Sequence, residues 1–126
     1  RTRGRGDAEE KIKNRYDSGH MAQLSAIDLV KVGMTGEECD SIARKIISEA
    51  GYGDFFGHSL GHGIGLDVHE NPNVGPRSKF IIQNNMPFTV EPGIYLQGWG
   101  GVRIEDIVII IDNKTQVISK AKKINL

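Results

Sequence analysis

One cysteine, Cys39, is all the sequence holds. No internal disulfide can form, and with no such covalent staple the fold has to rest on its apolar core; the composition suits a reducing compartment such as the cytoplasm. Long apolar runs are missing too. The longest, Ile107-Val108-Ile109-Ile110-Ile111, has the length of a strand and falls far short of the ~20 residues of a membrane-spanning helix. Net charge is absent, with 16 basic against 16 acidic residues. The chain as a whole therefore has no general electrostatic pull toward nucleic acid or an anionic membrane. Arg1, Arg3, Arg5, Lys11, Lys13 and Arg15 make the start locally basic, but Glu9 and Glu10 interrupt them. Aromatic residues are only 6% of the chain, and none alternates with those arginines as a base-stacking platform would. The stretch reads as a solvated face. Nothing at the N-terminus has the pattern of a signal peptide.

What is present divides the 126 residues, one domain or a piece of one, into two halves. Residues 8–31 are expected to form a helix with Ile12, Tyr16, Leu24, Ile27 and Val30 on its apolar face. Ser18-Gly19-His20-Met21 sits badly in its middle, since glycine costs ~1 kcal/mol in a helix interior, and Gly19-His20-Met21 also resembles a cloning remnant; the helix is kept with a break flagged there. Residues 36–50 make a clearer helix. Thr35 is a good N-cap, Glu38 completes a capping box, Ile42, Ile46 and Ile47 face inward, and Gly51 ends the helix. From Gly51 to Gly75 there are seven glycines, too many for a helix. Strand-like runs follow at Phe88-Thr89-Val90, Ile94-Tyr95-Leu96, Val102 to Ile111 and Gln116-Val117-Ile118, with Asp112-Asn113-Lys114 as a hairpin turn. Helices first and strands after indicate an α+β fold.

Three of the four histidines, His58, His62 and His69, fall within twelve residues. His58 and His62 have the spacing of a helical zinc pair, but Ser59 stands where that motif needs a glutamate. Gly57, Gly61, Gly63 and Gly65 argue against a helix and for backbone packed close to a ligand or another strand. A lone histidine would read as a hydrogen-bonded core residue; three on one glycine-rich loop point to a site. Glu91 and Glu105 then lie in apolar strand contexts, where an unpaired carboxylate is costly and needs a cation. Arg103 supplies that cation on a purely structural reading. A divalent metal supplies it on a functional one, and imidazole with carboxylates brings manganese into range beside zinc, cobalt and iron.

Three segments in order, His58-Ser-Leu-Gly-His62-Gly-Ile-Gly-Leu-Asp-Val-His69-Glu70, Val90-Glu91-Pro92-Gly93-Ile94-Tyr95 and Gly101-Val102-Arg103-Ile104-Glu105-Asp106, resemble the pita-bread metallopeptidases. The similarity is to the branch of Xaa-Pro dipeptidase (prolidase) and Xaa-Pro aminopeptidase, with methionine aminopeptidase and creatinase more distant. It covers nearly the whole chain; Tyr16, Ala22-Gln23, Ala26-Ile27 and Lys31 to Gly36 also resemble that family's helix and loop. The resemblance implies that residues 1–126 are the C-terminal half of the catalytic domain. It implies two divalent ions (Mn, Co, Zn or Fe) in the intact enzyme, with His62, Glu91 and Glu105 as ligands and Glu105 bridging. His58 and His69 would hold the substrate carbonyl and the tetrahedral intermediate. Arg103 would orient a carboxylate ligand, and Glu91 would take a proton from the attacking water. The substrate implied is a peptide or dipeptide with proline second, and a homodimer is common in the family.

The family pattern also needs two aspartates upstream of the first helix, the second before a Thr-Arg-Thr stretch that Arg1-Thr2 resembles the end of. Asp7 and Asp17 lie in the wrong places to replace them, Arg3 to Gly6 depart from the expected apolar strand, and Asn84-Asn85 replace a glycine turn. The expectation is a parent hydrolase cleaving Xaa-Pro bonds and a chain that, alone, holds one ion or none and is inactive. The alternatives are an Xaa-Pro or methionine aminopeptidase of the same fold, or a non-catalytic binding protein built on it.

Overall fold

The structure, a computed structural model, describes residues 10–123. The expectations about Arg1 to Gly6 and Asp7 lie outside the described residues. Two helices come first, α1 (Glu10–Leu29) and α2 (Gly36–Glu49), then a single 3-10 turn at Gly53–Phe55. Seven strands follow: β1 (Gly61–Gly63), β2 (Glu70–Val74), β3 (Pro87–Val90), β4 (Gly93–Leu96), β5 (Gly100–Arg103), β6 (Asp106–Ile111) and β7 (Lys114–Val117). They make an antiparallel sheet of order β2-β1-β3-β6-β7 and a separate β4-β5 hairpin. The α+β class is as expected.

Helix α1 runs unbroken through Ser18-Gly19-His20-Met21, and the flagged break is absent. Its buried face includes the expected Tyr16 and Val30, with Ile27 packed partly buried on the core, but is completed by Gly19, Ala22, Gln23 and Ala26, whereas Leu24 is 50% exposed. These residues recur at three- and four-residue intervals, so the helical period holds but is carried by small side chains that let the helix lie close against the sheet. Gly19 faces Ile104 at 3.8 Å from where a Cβ would stand. The second helix has the expected cap. Thr35 Oγ1 accepts from the Glu38 amide at 3.1 Å, and Glu38 Oε2 accepts from the Thr35 amide at 2.7 Å. Gly51 follows with φ +84°. Ile47 is buried, with Ile42 and Ile46 packed partly buried against the core.

The Val102 to Ile111 run is two strands, β5 and β6, interrupted at Ile104-Glu105. The β6–β7 turn has φ +50° at Asp112 and +59° at Asn113, the two positive values of a tight hairpin turn whose twist matches its strands. Asn85, in the pair that replaces a glycine turn, takes φ +64°, a conformation asparagine tolerates better than most residues. The main core joins both helices to the sheet through Ala22, Ala26, Ile47, Leu60, Phe88, Ile94 and Ile110. Among the described residues no helix is long and apolar enough to cross a membrane.

Candidate metal and peptide site

Two junctions place the two glutamates. The pairing Val90↔Asp106 in the large sheet continues in the same register as Gly93↔Arg103 in the hairpin. Glu91-Pro92 and Ile104-Glu105 are the links where the chain passes between these two sheets, and that register sets Glu91 opposite Glu105. Like charges facing each other across a strand pair are destabilising unless a cation lies between them. Here Arg103 does so: its Nε lies 3.8 Å from Glu91 Oε2 and 3.7 Å from Glu105 Oε2. Partial burial works against the Arg103 charge, but a hydrogen bond with the Tyr95 hydroxyl and the nearby Glu105 and Glu91 carboxylates outweigh it and raise its pKa.

Strand β1 brings His62 to Glu91. It is held between β2 and β3, with His62 opposite Asn73 and Gly63 opposite Phe88. Close approach explains the glycines. A Cβ on Gly61 would overlap the Thr89 carbonyl, one on Gly63 the Asn71 carbonyl, and one on Gly65 the Glu70 carboxylate. Gly57 is the exception, with open space around it. His62 Nε2 stands 3.1 Å from Glu91 Oε1. Its Nδ1 lies 2.8 Å from the Gly63 carbonyl, which can only accept, so Nδ1 carries a proton. Nε2 then turns a lone pair toward a carboxylate oxygen, and either a second proton or a metal ion has to lie between them.

His58, His62, His69, Glu91 and Arg103 all line one cleft of about 1130 Å³. Glu105 is not on its wall and reaches the others through Arg103. His69 is exposed and packs edge-on against the His62 ring, with centroids 4.6 Å apart. His58 has both ring nitrogens engaged, Nδ1 at 2.7 Å from the Ser59 carbonyl and Nε2 at 2.9 Å from the Tyr95 hydroxyl. Among the described residues no group of three or more His, Cys, Asp and Glu side chains is already gathered as a metal cage. The donor types nonetheless fit a divalent cation, because an imidazole nitrogen and the Glu91 carboxylate face each other in the cleft, with Glu105 opposite Glu91 across the junction.

The sequence matches the metallopeptidase family M24 over residues 1–112. The chain belongs to that family. A Xaa-Pro dipeptidase of Pyrococcus furiosus is 46% identical over 118 residues, which are 94% of this chain and 34% of the relative. Among solved structures, the prolidase from Pyrococcus horikoshii OT3 is 45% identical with a TM-score of 0.91, covering 96% of this chain and 35% of that one. The X-Pro aminopeptidase from Thermotoga maritima MSB8 is 44% identical with a TM-score of 0.89, covering 93% and 33%. The two helices and antiparallel sheets are thus a portion of the pita-bread fold. The chain spans about a third of the length of the curated relatives it matches.

Three residues that support the surroundings of this cleft escaped the sequence reading. Thr89 is buried; its hydroxyl donates to Glu91 Oε1 at 2.7 Å and accepts from the His62 amide at 3.0 Å. The only sign of it is that it stands two residues before Glu91, on the same face of β3. Asp40 and Arg44, four apart on α2, form an ion pair with Asp40 buried. Their spacing marks them as a helical pair, but nothing in the sequence links that pair to the loop ahead of β1.

Proposed function

We propose that this chain is one portion of a dinuclear-metal exopeptidase that hydrolyses the bond between an N-terminal residue and a following proline, a Xaa-Pro dipeptidase. The observation that carries the reading is His62 set against Glu91 where two sheets join, with Arg103 spanning Glu91 and the opposed Glu105. The likeness to a Xaa-Pro dipeptidase and a prolidase supports this substrate class. His62, Glu91 and Glu105 would hold divalent ions, with manganese, cobalt, zinc and iron all compatible with such donors. When bound, these ions would supply the Lewis acidity that activates water and stabilises developing negative charge.

The chain's own side chains do the rest. His62 presents Nε2 because the Gly63 carbonyl fixes its tautomer. Thr89 orients the Glu91 carboxylate, whose second role is to accept a proton from the attacking water. His69, exposed beside His62, and His58, held by Tyr95, face the peptide carbonyl from the open side of the cleft. Arg103 fixes the direction of both carboxylates. Working as a homodimer in the cytoplasm belongs to the same proposal.

Xaa-Pro aminopeptidase is a second reading, favoured by the likeness to the Thermotoga protein. Both readings need five metal ligands in the family pattern, and this chain supplies three of them. The 126-residue chain alone is therefore expected to show no turnover of a Xaa-Pro dipeptide with manganese or cobalt added, whereas a polypeptide including the remainder of the domain turns it over. Activity of the chain alone at a comparable rate would refute this ligand assignment. A longer polypeptide that cleaves Xaa-Pro-Yaa tripeptides but not dipeptides would select the aminopeptidase.

A further inference from the structure

An ion pair with a buried member and two contacts lies outside the cleft. On α2, Asp40 is 2% exposed, and Arg44 meets it twice, with Nε to Oδ2 at 2.6 Å and the second guanidinium nitrogen to Oδ1 at 3.0 Å. The same two side chains take hold of three alternate residues of the loop that leads into β1. Arg44 donates to the Phe56 carbonyl at 2.8 Å and to the His58 carbonyl at 2.8 Å, and Asp40 Oδ1 accepts from the Leu60 amide at 2.9 Å. The guanidinium also lies 4.2 Å over the Phe56 ring, which meets the His58 ring edge-on at 5.1 Å. A helix dipole or a lone surface pair would do none of this. A planar guanidinium with five fixed donors can serve a carboxylate on one edge and two carbonyls with its remaining hydrogens.

We infer that the Asp40–Arg44 pair is a positioning device for His58: it fixes the backbone on both sides of that histidine and the aromatic ring against it, so that its imidazole is held against Tyr95 at the mouth of the cleft. The inference rests on the proposed peptidase reading only for the consequence in catalysis. Its structural part, a loop ordered by one side-chain pair on α2, stands apart from any substrate.

Two arms test it in a polypeptide carrying the whole domain. The first compares Arg44→Lys, which keeps the charge but loses the planar fork, with the parent protein. The Leu60 amide is expected to exchange with solvent at least about tenfold faster, and the His58 ring nitrogen signals to move, while the overall unfolding transition remains cooperative. The second arm is kinetic. Arg44→Lys is expected to lower kcat by about 10- to 100-fold with metal content unchanged, the range found for side chains that orient a site. In a His58→Ala background the same substitution should change kcat by less than about twofold, because the two act through one group. If Arg44→Lys does not fold, Asp40→Asn, which keeps the shape and loses the charge, takes its place. Unchanged Leu60 exchange, or an equal loss of kcat with and without His58, overturns the inference. A parent protein that cleaves no Xaa-Pro peptide removes the functional reading instead, and the exchange arm still decides the clamp.

Discussion

Single side chains at this site act through what they fix rather than through what they expose. Thr89 is the clearest case: one buried hydroxyl ties the backbone of the strand carrying His62 to the carboxylate of Glu91. Thr89→Val keeps the shape and leaves both groups unmet, and a hydrogen bond to a charged partner contributes about 1.5–3 kcal/mol. Denaturant unfolding is expected to show a loss of about 2 kcal/mol, and metal affinity a drop of about 10- to 100-fold, with Thr89→Ser close to the parent in both. Equal affinities in Thr89→Val and the parent would remove Thr89 from the site. At this scale the sequence was informative about reactive groups and silent about their supports. Histidines and glutamates stand out because they are costly in apolar surroundings. Thr89, Tyr95 and the Asp40–Arg44 pair look like ordinary strand and helix residues until the fold brings them against His62, Glu91 and the His58 segment.

Helix α1 shows how an element can be read correctly in type and only partly in face. Its period was visible, but Leu24 suggested an apolar stripe that the structure leaves in solvent, and Gly19 suggested a break that does not occur. Close packing favours small side chains, so hydrophobicity alone finds Tyr16 and Val30 but passes over Gly19, Ala22 and Ala26. Gly19→Ala meets only ordinary contact at 3.8 Å from Ile104, and alanine is favoured over glycine in a helix interior by about 0.5–1 kcal/mol. A rise in Tm by a few degrees is expected; a fall would show that α1 lies closer to Ile104 than described. On α2 the capping box was fully readable, because its partners are three residues apart. Backbone and side-chain hydrogen bonds from Thr35 lower the Glu38 pKa. A lowered carboxylate pKa contributes stability above the unfolded-state value, and that contribution is lost as pH falls through the folded-state value. Thr35→Ala is expected to cost about 1 kcal/mol at neutral pH. The difference should narrow in acid below the usual glutamate range, measured by urea unfolding at both pH values.

The whole molecule was legible in its class and order of elements, since amphipathic helices and β-branched runs announce themselves locally. The crossing between the two sheets was not. The Val102 to Ile111 run reads as one strand, and only pairing partners far along the chain reveal that Ile104-Glu105 is a link between a hairpin and a larger sheet. That link sets Glu105 opposite Glu91, so the chemistry depends on tertiary register. The central claim is that this junction, with His62, holds divalent metal for hydrolysis of Xaa-Pro bonds. The most direct measurement is Xaa-Pro dipeptide hydrolysis by a polypeptide carrying the whole domain, stripped with a chelator and titrated with manganese, with metal content measured alongside. Activity is expected to vanish on stripping and to return with metal, and His62→Ala and Glu91→Gln should each lose both metal and turnover. Full activity after stripping, or unchanged metal content and rate in either variant, would contradict the account.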